Sequence, residues 1–448
     1  MSVSLQVRLR VIPTSSPCTI YAILCYMLSL DFICQHPDAV RDALRKRADI
    51  RNIDEVLRLA EQRRGLITRS DGLYPSLKKL KETVRSVPID KRGTLNAQIK
   101  AITEDIHRLE LQSADVDARL HLLLLSLPNL PHPSVKEGNE TTAGEELRKW
   151  GKPPPFFFEP QPHWELGTRL GIMDAEAGIK VAGSRFLMLR GAGARLERAL
   201  ISFMIDVHTR EHGYTEVMLP LLAKRSVMVG AGQLPKFEAQ AYACTEDELY
   251  LNPTAEVPLI GMHSDSILPA DMLPLRYTAW TTAFRREAGS ASRQNRGLLR
   301  LHQFNKVELF QFVIPQDSPQ AFEQILEHAE TILQRLELSY RVVALTAAHL
   351  PFAAAKTFDI EVWMPGQNDF MEISSVSDCE MFQAQRANIK YRPTGSGRAM
   401  YLHTLNGSGL AVGRTMAAVL ETYQQADGSV VIPKVLRPYM GTSRISPP

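Results

Sequence analysis

The densest run of potential chemistry in this 448-residue sequence is Ala283-Phe-Arg-Arg-Glu-Ala-Gly-Ser-Ala-Ser-Arg-Gln-Asn-Arg-Gly-Leu-Leu-Arg300. It reads as a strand, a polar basic loop and a return strand, in which Arg285, Arg286, Arg293, Arg296 and Arg300 face only Glu287. A guanidinium fork grips phosphate through two parallel hydrogen bonds, so several forks on one hairpin suit a triphosphate clamp. A solvated surface hairpin is the competing reading. On the return limb, alternation puts Arg300, His302, Phe304 and Lys306 on one face, and a bulge or register change brings Glu308 to it. Arg300, Phe304 and Glu308 would then offer a charge for phosphate, a flat ring for a base and a carboxylate for an ammonium. A plain core aromatic is the alternative for Phe304.

Two further segments carry polar groups at useful spacing. Phe370-Met-Glu-Ile-Ser-Ser375 places Glu372 on a strand with Ser374 and Ser375 following. A carboxylate beside a hydroxyl can share magnesium with nucleotide phosphates, because that ion takes few protein oxygens. Asn406-Gly-Ser-Gly-Leu-Ala-Val-Gly-Arg414 reads as a glycine-rich turn entering a helix, with Arg414 one turn in. Helix starts bind anions and glycines permit close approach, although a small-residue packing turn fits equally. His208-Thr-Arg-Glu-His212 matches the H-x-x-E-H pattern of inverted zinc peptidases, but Gly213 follows at once and no third ligand is evident. The sequons at Asn139 and Asn406 have no disulfide context to give them meaning.

The elements that must hold these residues change character near residue 130. From about Asp38 to Leu127 the pattern is helical: Leu57, Leu66, Leu77 and Leu80 punctuate one polar segment, and Ile99, Ile102, Ile106 and Leu109 another. The turn Ser86 to Gly93 joins them, so two long helices with a narrow apolar seam are predicted to project as an antiparallel arm. Pro75, after Asp71-Gly-Leu-Tyr74, predicts a kink or break. Pro128-Asn-Leu-Pro-His-Pro-Ser134 reads as a stiff linker and domain boundary. Beyond it come a helix over Arg190 to Glu211, a strand at Tyr214 to Pro220, strands at Leu275 to Phe284, Arg300 to Phe312, Phe358 to Trp363 and Asp369 to Ser375, and a helix over Gly409 to Tyr423. The predicted class is α+β with a largely antiparallel sheet flanked by helices.

Composition narrows the classes. Apolar residues are 44% and charged residues 23%, which excludes collagenous, low-complexity and wholly disordered chains. A net charge of +3 excludes a bulk polycation, so any nucleic-acid contact must be a local basic surface. Cys18, Cys25, Cys34, Cys244 and Cys379 form no C-x-x-C pair and fit a reducing compartment. Residues 1–26 read as an extension before a start at Met27, or as a targeting segment; the apolar run from Cys18 to Leu30 is too short to span a bilayer.

From Met27 onward the sequence resembles the bacterial-type seryl-tRNA synthetases, a class II aminoacyl-tRNA synthetase family. The resemblance rests on LPNLPHPSV at Leu127 to Val135, GARLERAL from Gly193, HGYTEVMLP ending at Pro220, GQLPKF from Gly232, PTAEVPL from Pro253, FRREAGS from Phe284, RGLLRLHQFNKVEL from Arg296, EISS from Glu372 and NGSGLAVGRT from Asn406. It implies a coiled-coil arm domain over 27–127 that grips the long variable arm of tRNA(Ser), and a class II catalytic domain over 128–448. It also implies L-serine activation with ATP, seryl transfer to tRNA(Ser), and to tRNA(Sec) where one is charged with serine. Release of AMP and pyrophosphate, a magnesium requirement, a homodimer and a cytoplasmic location away from membranes follow.

By the same resemblance Arg285 and Arg414 act in catalysis. Thr254, Ala255, Glu256, Glu308, Asn406 and Ser408 hold serine. Arg285, Arg286, Glu287, Arg300, Phe304, Glu372, Ile373, Ser374, Ser375 and Arg414 hold ATP, with Glu372 and Ser375 on magnesium. Two departures stand out: Met381 and Gln385 replace an acid and an arginine of the family's D-F-Q-A-R-R, and Asn252 stands in the usual L-I-P. A relative that charges a carrier protein would lack the arm, and a non-enzymatic RNA-binding paralogue would lose some of Arg285, Glu308, Glu372 and Arg414; this sequence keeps all of them.

Overall fold

The computed structural model describes residues 29–139, 141–288, 296–395 and 397–448. Cys18, Cys25, Met27 and Arg293 lie outside the described residues, with the whole of the 1–26 extension. Two short helices, α1 (Leu30–Gln35) and α2 (Pro37–Lys46), lead into α3 (Asp54–Ser86) and α4 (Arg92–Ser126). At 1.5 Å per residue the 33 residues of α3 reach about 50 Å. The core of this pair is widest at its base, where Val56, Leu59, Val116 and Leu120 meet Phe32, Ile33, Val40 and Leu44, and it continues outward through Leu66 and Leu109. Farther out the two helices are held by a thin seam with cross-links such as Tyr74 Oη donating to Glu110 Oε1 at 2.7 Å.

The break predicted at Pro75 does not occur, and α3 runs through it. Asp71, Gly72 and Pro75 all lie on the exposed side, so the carbonyl that loses its helical partner is solvated. Leu73 and Leu77, on the seam side, keep the axis against α4.

The segment predicted as a stiff spacer is docked instead. Leu127, Asn129 and Leu130 are buried, and the Asn129 side chain donates to Ala353 O and Cys379 O, both at 2.9 Å. Arg47, just after α2, donates to Asn129 O at 2.7 Å, Ala354 O at 2.7 Å and Pro351 O at 2.9 Å. Burial pushes this guanidinium down to about 10. The base of the arm is therefore bolted to the loop 350–354 of the larger body.

That body is built on eight strands: β1 (Glu145–Trp150), β2 (Thr215–Glu216), β3 (Leu275–Phe284), β4 (Gln303–Val313), β5 (Tyr340–Ala344), β6 (Lys356–Met364), β7 (Asp369–Asp378) and β8 (His403–Ala411). Their order is β1-β5-β6-β7-β8-β4-β3-β2, antiparallel except for the β2–β3 pair. Four helices matter for the site: α5 (His163–Arg169), α6 (Ala192–Arg210), α7 (Ser318–Arg335) and α9 (Val412–Thr422), with the short α8 (Phe382–Arg386) before β8.

Alternation along β4 separates two environments. Val307 and Leu309 enter the core beneath α6, α7 and α9, while Phe310 and Phe312 enter a second core on the opposite face with Val257 and Leu259. The segment Asn406–Ala411, predicted as a turn, is the strand β8 in the middle of the sheet. Its glycines serve packing: a Cβ at Gly407 would come within 2.5 Å of Ile325, and one at Gly409 within 2.7 Å of His208. Glycine here lets helices press on the strand. Among the described residues no helix is long and apolar enough to cross a membrane.

Candidate active site

A cavity of about 610 Å³ opens on the face of β4, β6, β7 and β8 away from α6 and α7. Phe304, Lys306 and Glu308 of β4, Asn406 and Ser408 of β8, and Glu372 and Ser375 of β7 all line it. The irregularity expected along β4 is absent: β4 pairs with β3 without a break from Gln303 to Phe312, so plain alternation already puts Glu308 on the face of Phe304 and Lys306, and the extra residue between Val307 and Glu308 is Gly409 of β8. Arg300 and His302 precede the strand, which starts at Gln303. Arg300 still reaches the cavity, but His302 does not: its Nδ1 faces Arg285 O at 3.0 Å and its ring lies against Phe186.

One end of the cavity is a small polar nest. Thr254 Oγ1 donates to Glu308 Oε2 at 2.8 Å, and Lys306 Nζ pairs with the same oxygen. Glu256 accepts from Gln383 Nε2, and Gln383 Oε1 accepts from Thr404 Oγ1 at 2.6 Å. Burial, with Glu308 close by, pushes the Glu256 carboxyl up to about 7 against the pull of Gln383. Ala255 is fully buried beneath this nest and takes no place in the lining.

The other end is cationic. Arg285 donates from Nε to Pro253 O at 3.2 Å and lays its guanidinium 5.2 Å from the centre of the Phe304 ring. Burial lowers its value, Glu287 opposes that, and Arg414 adds to the lowering. Arg300 Nε donates to Glu287 Oε2 at 2.6 Å. Arg414, from the first turn of α9, donates to Leu299 O at 3.3 Å and Glu372 O at 2.7 Å, and its Nη1 lies 3.2 Å from Glu372 Oε1. Arg286 turns outward over Tyr242 at 5.5 Å. Ser374 is buried with its hydroxyl on Ser408 O at 2.7 Å, whereas Ile373 and Ser375 line the cavity.

The sequence reading missed Asp359 and Gln383. Asp359 on β6 is the cross-strand partner of Ser375, and its Oδ1 is buried without a hydrogen bond. Burial and the nearby Glu372 hold its carboxyl well above the usual range. Polar residues alternating against Ile360 and Val362 were its only local signal; pairing with Ser375 required the β6–β7 ladder. An orphaned carboxylate oxygen beside Glu372 and Ser375 is a donor set suited to magnesium. Among the described residues no three acidic, histidine or cysteine side chains form a ready-made cage.

The residues set aside in sequence are otherwise engaged. His208 Nε2 donates to Gly409 O at 2.9 Å, its Nδ1 lies 3.0 Å from His212 Nδ1, and Glu211 is salt-bridged to Arg335 by a 2.6 Å hydrogen bond. Burial pushes His208 down to about 3. Met381 and Gln385, the two residues of the first departure, touch one another: Gln385 Nε2 lies 3.2 Å from Met381 Sδ, one helical turn away. Asn252 is buried and satisfied, with its amide nitrogen donating to Leu221 O at 3.0 Å and its oxygen accepting from Thr281 Oγ1 at 3.1 Å.

Comparison with known proteins gives a consistent set. Residues 27–131 match the family model for the seryl-tRNA synthetase N-terminal domain. Residues 237–423 match that for the tRNA synthetase class II core domain (G, H, P, S and T). The curated serine-tRNA ligase of Geobacillus kaustophilus is 49% identical over 421 residues, spanning 93% of this chain and 99% of that protein. The one from Bacillus subtilis is 48% identical over 405 residues, 90% and 95% of the two chains. Among solved structures, the seryl-tRNA synthetase of Pyrococcus horikoshii complexed with ATP superposes with a TM-score of 0.89 at 35% identity, covering 94% of this chain and all of that one.

Proposed function

The chain belongs to the seryl-tRNA synthetases of class II, and on that premise we propose that it activates L-serine with ATP and transfers the seryl group to tRNA(Ser). One observation carries the assignment of the site. A polar nest around Glu308, Thr254 and Glu256 sits at one end of a cavity whose other end is lined by Arg285, Arg300, Arg414 and Phe304. A small hydroxylated amino acid fits the first and a nucleoside triphosphate the second.

In the first step the serine carboxylate attacks the α-phosphorus, forming an acyl–phosphate bond as pyrophosphate leaves. The attacking oxygen is already ionised, so no general base is required, and positioning with charge neutralisation supplies the acceleration. Arg285 steadies the carboxylate and α-phosphate, Phe304 stacks on adenine, Glu287 meets the adenosine side, and Arg300 and Arg414 take the outer phosphates. Glu308 and Glu256 receive the substrate ammonium, with Thr254, Asn406 and Ser408 completing the contacts to the hydroxyl. Glu372 and Ser375, joined by Asp359, hold magnesium, which neutralises phosphate charge when bound. In the second step a ribose hydroxyl of the terminal adenosine attacks the seryl carbonyl and AMP leaves. Alanine leaves the buried polar groups unpaired, and threonine exceeds the space.

We divide the chain into an arm domain over 27–127, which reads the tRNA variable arm through its backbone, and a catalytic domain over 128–448, with 1–26 as an extension. tRNA(Sec) is a second acceptor where it carries the same arm. Met218, 90% exposed in the HGYTEVMLP segment, together with exposed Leu221, Leu222 and Trp280, supports a homodimer. A cytoplasmic location accords with the reducing-compartment cysteine pattern. Serine-dependent ATP–pyrophosphate exchange tests the reading. Absence of exchange, or equal exchange with alanine and threonine, overturns it.

A further inference from the structure

A buried pair outside the cavity ties together the segments that carry its phosphate-facing groups. His163, at the start of α5, and Glu421, in the last turn of α9, are both fully buried. The imidazole Nδ1 lies 2.7 Å from Glu421 Oε1, which also accepts from the His163 backbone N–H at 3.0 Å. Glu421 Oε2 accepts from Gly366 N–H at 2.9 Å, in the turn between β6 and β7. At the far side of the ring, Nε2 lies 3.1 Å from the backbone nitrogen of Leu298. An amide N–H can only donate, so Nε2 is the acceptor and Nδ1 carries the proton given to Glu421.

The packing leaves this imidazole no alternative position. Gly297 has φ +63, and a Cβ there would fall 2.4 Å from Nε2. Leu298 precedes Leu299, whose carbonyl accepts from Arg414, and Leu299 precedes Arg300. Arg414 lies seven residues, two turns, before Glu421 on the same helix. One histidine–carboxylate pair thus fixes the base of the arginine hairpin, the helix of Arg414 and the β6–β7 hairpin that carries Asp359 and Glu372.

We propose that His163 and Glu421 are positioning residues for triphosphate binding, acting through the Leu298 N–H and Gly366 N–H to set Arg300, Arg414 and Glu372 in mutual register. This rests on the ATP reading of the cavity. Their effect falls on the nucleotide and not on serine, because the nest around Glu308 and Thr254 makes no contact with either residue.

The test uses the full chain and two readouts: calorimetric titration with ATP and magnesium, and serine-dependent pyrophosphate exchange. H163N keeps a donor toward Glu421 and removes the acceptor for Leu298, whereas H163Q keeps that acceptor and removes the donor. H163N is expected to weaken ATP binding about tenfold and lower kcat, with serine KM within about twofold, since small misplacements of positioned groups cost that much. H163Q is expected to stay within about threefold of the parent for ATP. E421Q, which sets an amide N–H against that of Gly366, is expected to weaken ATP about fivefold by the same misplacement. Equal defects in H163N and H163Q, proportional shifts in ATP and serine constants, or unfolding of H163N and E421Q alike would make the pair a fold bolt only and overturn the proposal. If the parent binds ATP yet shows no serine-dependent exchange, the serine assignment fails while the ATP titration still decides the positioning role.

Discussion

Thr254 gives its hydroxyl hydrogen to Glu308 Oε2 at 2.8 Å, joining a loop to the middle of β4 across 54 residues of sequence. Both are almost fully buried, so neither has water as a substitute partner. T254V keeps the shape and strips the donor. It is expected to cost about 1–3 kcal/mol, roughly 5- to 150-fold in kcat/KM for serine. The KM for ATP should hold, and steady-state exchange kinetics with each substrate varied check both halves; an equal loss for ATP refutes the assignment of this end of the cavity.

The carboxyl of Glu256 carries a sign that can be read by pH. Its value in the folded chain, about 7, exceeds the ordinary 4.5, so the folded state holds that proton more tightly than the unfolded one. Its contribution to stability is full below the ordinary value and is lost as pH rises through about 7. The parent should therefore lose melting temperature relative to E256Q between about pH 5 and about pH 8. Binding an ammonium favours the ionised carboxyl, so serine KM should fall over the same range in the parent and not in E256Q. A parallel pH slope in both proteins contradicts the assignment.

Asp359 adds a carboxylate that the motif-based reading did not contain. D359N is expected to raise the magnesium concentration for half-maximal exchange about tenfold, in line with losses on removing groups that support a metal site. Metal-free stability should hold or rise, because a buried acid with one oxygen left without a hydrogen bond is replaced by a neutral isostere. Exchange measured across a magnesium titration, with melting in chelator, checks this; an unchanged requirement removes Asp359 from the metal site.

The arm and the body are separable at a place that the packing indicates. Residues 65–115 lie outward of Val56, Leu59, Val116 and Leu120 and of the Arg63–Asp117 pair, and take only Leu66 and Leu109 from the buried cluster at the base. Replacing them by a short turn is expected to leave exchange within about twofold and reduce tRNA charging more than about 100-fold, because phosphate contacts carry much of RNA affinity. Charging by the parent should also fall steeply between about 50 and about 200 mM salt while exchange does not. Intact charging by the shortened chain refutes the role of the arm.

Met381 and Gln385 form one coupled unit, with the thioether accepting an amide one turn away. M381D alone sets an acid at a site that is 4% exposed and should destabilise by about 2–4 kcal/mol. M381D/Q385R, which restores the family's acid–arginine pair, should recover most of that loss. A urea unfolding cycle measures the coupling; additive effects contradict it.

The sequence by itself determined a good deal. The heptad-like seam gave two long helices, the alternation in β4 aligned Phe304 and Lys306, and the ordered motifs identified the family. These signals are local, carried by periodicity and by contiguous residue types. What the tertiary structure decided is what needs two distant segments to meet. Pro75 is tolerated because its face of α3 is solvent, and the glycines of Asn406–Ala411 belong to a strand because α6 and α7 press on it. Arg286, Ala255 and Ser374 leave the cavity because a side chain one position along a strand or loop points elsewhere. Asp359 enters it only through cross-strand register, and Gln383 reaches Glu256 from behind the lining only through the docking of α8. His163 and Glu421, 258 residues apart, become one hydrogen-bonded pair by burial alone. A buried polar group must find a partner, and which partner it finds is fixed by packing that no single segment of sequence contains.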